Sequence, residues 1–239
     1  MCGAGPGGGI NKKPNRDLSV MTRTERAGQL IEAFPKIYPN AHCELDFKTP
    51  LQLLVATILS AQCTDKRVNM VTPALFKRYR SAADFAAAKP AELEKAIQST
   101  GFFRSKTKSI RAAAAAIENE HGGKVPRTVA ELTALPGVGR KTANVVLGNA
   151  FDVNEGIVVD THVARLSQRL GLTTNEDPEK IERDLMKLIP RADWTNWSHW
   201  LIWHGRRRCY ARKPDCRNCE VLALCPSGPR FIRSGTARS

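Results

Sequence analysis

The chain has 239 residues, 42% hydrophobic and 25% charged, enough apolar material for one large or two small folded domains and not the make-up of a disordered chain. Its 37 Lys and Arg outnumber 23 Asp and Glu, leaving a net charge of +14. That surplus favours a polyanionic partner, nucleic acid or an anionic membrane surface. The longest apolar stretches, Leu51 to Ser60 and Ile110 to Ile117, fall far short of the ~20 residues of a membrane span, which excludes insertion into a bilayer.

The first ten residues, MCGAGPGGGI, hold five glycines and lack the apolar centre of a secretory signal. Residues 1–18 therefore read as a flexible tail, with Met21 as an alternative start. Helix starts recur after it. Thr49-Pro50, Thr72-Pro73 and Asp177-Pro178 each place a capping residue before a proline at the first helical position. Leu51, Leu54, Val55, Ile58 and Leu59 follow helical spacing, as do Val163, Leu166 and Leu170. Five consecutive alanines between Lys106 and His121 favour helix strongly. Shorter helices are expected over Thr128 to Ala134 and from Arg140 to about Asn149. Ile157-Val158-Val159 resembles a strand but has no partner. The chain thus reads as all-α, with about ten short helices and no sheet.

Between two of those helices stands Leu135-Pro136-Gly137-Val138-Gly139-Arg140-Lys141-Thr142. Gly137 and Gly139 permit positive φ and leave the backbone amides uncovered. Those amides and the next helix N-terminus suit a DNA phosphate, the helix-hairpin-helix pattern, which grips backbone without reading sequence. A dinucleotide fingerprint fails because Thr142 stands at its third glycine, and a Walker A loop fails because Arg140 interrupts it. The plainer alternative is a glycine turn between packed helices. Lys141 falls in the first turn of its helix, where the macrodipole disfavours a cation. Partial desolvation on an apolar helix would add to that, and both lower the pKa toward what a nucleophilic amine needs; a simple phosphate contact is the alternative. Nineteen residues later comes Asp160, directly after the apolar run. It suits a helix N-cap, a catalytic acid, or both.

Seven cysteines without a signal peptide point to a reducing compartment, where clustered thiols bind metal. Cys209, Cys216, Cys219 and Cys225 lie within seventeen residues and form a metal site, with zinc and a 4Fe–4S cluster both compatible with the spacing. Cys2, Cys43 and Cys63 are dispersed and read as unliganded. The basic end from Arg206 to Arg233 has eight Lys and Arg against Asp215 and Glu220, and Arg212 and Lys213 lie between the first two clustered thiols. Trp194, Trp197, Trp200 and Trp203 recur every third residue, which suits core packing better than base stacking.

Five segments together resemble the endonuclease III family, bifunctional DNA glycosylases of the helix-hairpin-helix superfamily. They are LLVATILSAQCTDKRVN from Leu53, GFFRSK from Gly101, LPGVGRKTANVVLGNAF from Leu135, VVDTHV from Val158, and the cysteine set. The resemblance spans roughly Ala41 to Pro226. It implies a two-lobed helical fold with a substrate cleft and a C-terminal 4Fe–4S cluster loop. One lobe would run over 43–153, the other over 19–42 plus 154–233, with 234–239 a tail that reads as disordered. Lys141 would match the Schiff-base nucleophile and Asp160 the catalytic carboxylate. Gln62 would fill the gap left by a flipped nucleotide, Phe102 would be the wedge, and Gly137, Val138 and Gly139 the hairpin. Arg212 and Lys213 would add DNA contacts, and Cys209, Cys216, Cys219 and Cys225 would ligate the cluster. The implied activity is removal of oxidised pyrimidines from double-stranded DNA with β-elimination at the abasic site. The expected protein is a monomer with no membrane partner, cytoplasmic and nucleoid-associated if bacterial. The Phe102-Phe103 pair is bulkier than the family's usual aliphatic residue and Cys63 adds a thiol beside Gln62, which leaves the lesion range open. An adenine-removing mismatch glycosylase fits less well, since that relative lacks the lysine and carries a further domain, whereas fourteen residues follow Cys225 here. Outside enzymes, a DNA-binding module with a structural metal is the alternative.

Overall fold

A short side chain with a free oxygen starts most of the helices. Thr22 caps α1 (Arg23–Ile37) in a reciprocal box with Glu25, Thr49 caps α2 (Pro50–Leu59) and Thr64 caps α3 (Asp65–Arg78). Each hydroxyl accepts an N–H that the first turn leaves without a partner. The computed structural model describes residues 21–238. Among them are twelve α-helices and three 3-10 turns, and no strand, so the fold is all-helical as the sequence implies. The expected tail over 1–18, with Cys2, lies outside the described residues.

Thr72-Pro73 is not a helix start. It lies inside α3, which begins eight residues earlier at Asp65. Pro73 forgoes the bond to the Asn69 carbonyl, yet one continuous helix buries Val68, Thr72 and Leu75 together. A start at Pro73 would leave too few residues to bury that face. The chain between α3 and the hairpin forms α4 (Ala82–Ala87), α5 (Pro90–Ile97), a 3-10 turn (Gln98–Thr100) and the long α6 (Phe103–His121).

The hairpin lies between α7 (Val129–Ala134) and α8 (Arg140–Ala150). Downstream come α9 (Thr161–Arg169), α10 (Pro178–Leu188), α11 (Trp194–Arg207) and α12 (Gly228–Arg233). Buried apolar side chains form two clusters. One joins Leu53 and Leu59 of α2 to Ile110 and Ile117 of α6 and Val146 and Leu147 of α8. The other joins Leu30 and Phe34 of α1 to Val163 and Leu166 of α9 and Trp197 and Leu201 of α11. The tryptophan spacing is core packing, as expected. Trp194, Trp197 and Trp200 are buried, and Trp197 meets Phe34 edge-on at 5.7 Å. Trp203 is half-buried beneath Arg207, whose guanidinium carbon is 3.7 Å from the ring centre.

α8 belongs to the first cluster but lies against α11 of the second. A Cβ at Gly148 would come 2.3 Å from Thr195 Oγ1, so the two helices approach this closely only over a glycine. The C-terminal residues depart from the expected disordered tail. Arg238 N–H donates to the Pro214 carbonyl at 2.9 Å, and its guanidinium lies 5.8 Å from the Tyr210 ring centre. A backbone bond and a cation–π contact return this end to the cysteine loop.

Candidate active site

A cleft of about 290 Å³ lies between the two clusters, and Gln62, Lys141 and Asp160 all face it, with Asn149, Ser198 and His199. Lys141 is the second residue of α8, within the first turn as its sequence position requires. It is exposed, which corrects the expectation of partial desolvation. The apolar face of α8 points the other way, burying Ala143, Val146 and Leu147. Asp160 caps α9: its Oδ1 accepts the N–H groups of His162 and Val163, each at 2.8 Å. Among the described residues Oδ2 has no such partner. Ile157, Val158 and Val159 are buried, and Val158 N–H donates to Ser198 Oγ at 3.0 Å. The strand-like apolar run therefore anchors the carboxylate to α11 without joining a sheet.

At the hairpin, Gly137 has φ +77°, and a Cβ there would come 2.6 Å from Ser109 Cβ on α6. No larger residue fits that turn without displacing α6. Gly139 is the N-cap of α8, which has no side-chain cap, and both glycines are exposed. Val138 differs from its neighbours. Its side chain is buried and its N–H donates to the Leu135 carbonyl at 3.1 Å, so it anchors the hairpin rather than facing outward.

Gln62 and Phe102 are both exposed and both left-handed, with φ +53° and +46°, a region that non-glycine residues seldom occupy. Phe102 is 65% exposed, whereas its neighbour Phe103 packs on the first cluster. A second cavity of about 280 Å³, beside the cleft, is lined by Gln62, Phe102, Gly137 and Lys106. These candidates therefore share one face of the protein.

Several cleft residues carry no local sequence signal. Asn149 donates through Nδ2 to the Val145 carbonyl at 2.8 Å, which leaves its Oδ1 to accept from His199 Nε2 at 2.7 Å. Burial pushes the His199 imidazole down to about 4. Arg206 bonds Asp65 at 2.8 Å and also pairs with Glu44. Arg140, next to Lys141, makes a two-pronged contact to Glu182 of α10 at 2.7 and 3.1 Å. Apart from Val145, each partner is 42 or more residues away, so only the fold reveals the pair.

Cys209, Cys216, Cys219 and Cys225 line a single separate cavity with Arg169 and His204. None of the four is in a disulfide. Burial pushes Cys216 up to about 11 and Cys219 up to about 12. Arg169 Nη1 donates to Cys209 Sγ at 3.2 Å, and Cys219 Sγ is 3.5 Å from His204 Nε2. Among the described residues no three Cys, His, Asp or Glu side chains close on one ion-sized point. The thiols are spread around a cavity. Cys43 and Cys63 are free and half-buried elsewhere. The basic end is less open than its composition implies, because Arg206, Arg207 and Arg208 are all ion-paired. Arg212 and Lys213 remain exposed at the tip of the loop.

The chain is similar to known proteins over most of its length. The model of the HhH-GPD superfamily of base excision DNA repair proteins matches residues 55–191. The chain is 57% identical over 208 residues to endonuclease III of Synechocystis sp., covering 87% of this chain and 95% of that one. A non-covalent endonuclease III–DNA complex superposes with a TM-score of 0.85 at 43% identity, covering 90% and 100%. A trapped covalent endonuclease III–DNA intermediate superposes with a TM-score of 0.82 at 44% identity, covering 87% and 99%.

Proposed function

The chain belongs to the endonuclease III family of HhH-GPD base excision DNA repair proteins and is a DNA glycosylase and AP lyase; we propose that it acts on oxidised pyrimidines and that Lys141 and Asp160 carry its chemistry. The observation that supports this most directly is that an exposed amine and a carboxylate with one free oxygen face one cleft. A base is unreachable inside the duplex, so the damaged nucleotide rotates ~180° into that cleft. Phe102 enters the stack and Gln62 fills the gap, which offsets part of the lost stacking. Exposed hairpin amides around Gly137 and Gly139 hold a phosphate, Val138 anchors them from inside, and Arg212 and Lys213 hold others.

Unprotonated Lys141 Nζ then attacks C1′. The C1′–Nζ bond forms as the bond to the base breaks, and the base leaves with its electron pair. Asp160 stabilises the positive charge that develops on the sugar. Nζ then sheds a proton, the C1′–O4′ bond breaks as the C=N bond forms, and O4′ takes up a proton as a hydroxyl. The resulting protonated imine acidifies C2′, and loss of a C2′ proton expels the 3′ phosphate by β-elimination. The exposure of Lys141 leaves desolvation of the amine to the docked DNA.

The four clustered thiols would hold a 4Fe–4S cluster. Their spread around one cavity and the Arg169 donor to sulfur suit a cluster better than one tetrahedral ion. When bound, the cluster supplies a cross-link that fixes the loop bearing Arg212 and Lys213. The two cores support one lobe over 43–153 and another over 21–42 with 154–233; residues 19–20 of the expected second lobe lie outside the described residues. We further propose a monomer acting on duplex DNA with damaged pyrimidines or abasic sites, in the cytoplasm at the nucleoid if bacterial. Among the described residues no helix is long and apolar enough to cross a membrane.

Borohydride reduction tests the assignment. Wild type should be trapped covalently on DNA with an abasic site, while Lys141→Gln should lose trapping, excision and strand cleavage together and still bind. Folded Lys141→Gln with full lyase activity would overturn it.

A further inference from the structure

Lys106 lies in the first turn of α6 and is 4% exposed, an unusual place for an ammonium. Among the described residues no carboxylate pairs with it. Its Nζ donates instead to two backbone carbonyls, Leu59 and Thr100, both at 2.8 Å. Burial lowers its pKa. A buried ammonium is costly unless its donors are satisfied, and the positive end of α6 adds to that cost. An apolar side chain would avoid that cost but leave both carbonyls without the ammonium as donor, so what the lysine supplies is this pair of bonds.

The two carbonyls give a reason. Leu59 is the last residue of α2, three before Gln62, and Thr100 ends the 3-10 turn, two before Phe102. Gln62 and Phe102 are both left-handed, so each must be held there by its surroundings. Each loop has its own backbone bonds, Cys63 N–H to Ser60 O at 3.0 Å and Gly101 N–H to Gln98 O at 3.2 Å. Among the described residues no backbone hydrogen bond passes from one loop to the other. Lys106 Nζ makes that link.

We propose that Lys106 is a positioning residue that fixes the Gln62 loop and the Phe102 loop relative to each other, so that wedge and filler act on the same base step. The proposal rests on the roles assigned above to Gln62 and Phe102. Two different loops opening one base step must hold a set separation, and a flexible side chain with two satisfied carbonyls sets it without touching DNA.

The experiment uses the full-length holoprotein with Lys106→Met, which keeps length without donors, and Lys106→Gln, whose shorter amide cannot reach both carbonyls. Excision is measured on a duplex with an oxidised pyrimidine opposite 2-aminopurine. Borohydride trapping is measured on a single-stranded abasic oligonucleotide, which has no stack to open and no gap to fill. Both variants should lose tenfold or more on the duplex, with the 2-aminopurine signal diminished, and stay within twofold on the single strand. Gln62→Ala and Phe102→Ala should show the same duplex-selective loss. If those two do not, the reading of the loops fails. If they do while the Lys106 variants show equal losses on both substrates, or none, the positioning role fails. Loss of folding in both Lys106 variants would make the residue structural and also overturn it.

Discussion

Asp160 caps a helix and faces the cleft with one side chain, and substitution separates the cap from the charge. Its Oδ1 caps α9 through two 2.8 Å bonds, while its negative charge faces the cleft. Asn keeps an oxygen for the cap and loses the charge. Asp160→Asn should therefore fold with little change in melting temperature and slow excision by a factor on the order of 10²–10⁴, as for loss of a positioned charge. On a preformed abasic site, where no base leaves, the loss should be smaller; equal losses would argue against charge stabilisation of base departure. Lys141 and Asp160 were legible because each carries a local mark, a glycine hairpin before one and an apolar run before the other. His199 carried none, since its partner Asn149 is fifty residues away. Burial holds His199 near 4, below its ordinary value of about 6.5. The unfolded chain takes up a proton there that the folded chain refuses, so His199 makes the protein less stable as pH falls from about 6.5 to about 4. Denaturant midpoints measured against His199→Gln should diverge over that window alone. A pH-independent difference would contradict it.

At the scale of elements, the sequence read starts better than continuations. Thr49-Pro50 and Asp177-Pro178 begin helices, but Thr72-Pro73 carries the same local signal and lies mid-helix. What decides is whether the preceding turn buries an apolar face, which no dipeptide reveals. Cross-helix ion pairs are equally invisible. Arg140 on α8 reaches Glu182 on α10, which is buried and also accepts from Asn144 Nδ2 at 2.9 Å. This clamp joins the helix carrying Lys141 to the second cluster. Glu182→Gln removes the charge and leaves Arg140 with a weaker acceptor, and half-exposure of Arg140 softens the cost to about 1–2 kcal/mol. Thermal unfolding should register that loss, and excision should fall further than single-turnover binding does. Unchanged stability together with unchanged excision would mean that the clamp positions nothing.

Over the whole molecule, the surplus of +14 pointed to a polyanion but not to the surface that meets it. Composition counts every Arg alike, whereas the fold neutralises some of them. Arg208 at the start of the cysteine loop pairs with both Asp215 and Glu220, while Arg212 and Lys213 at the loop tip are exposed. A cation already paired releases few counterions from DNA, and an unpaired one releases close to one. Affinity for undamaged duplex, plotted as the logarithm of the binding constant against the logarithm of salt, should therefore distinguish the two kinds. Arg212→Ala with Lys213→Ala should flatten the slope by about two units, at roughly 0.9 for each phosphate that is no longer neutralised. Arg208→Ala should change it by well under one unit, because the pairs it breaks are internal. An unaltered slope in the double variant would remove the loop tip from the DNA footprint. A large change in Arg208→Ala would mean that its ion pairs open when DNA binds, and that the charge facing the phosphates is set by the complex and not by the free protein.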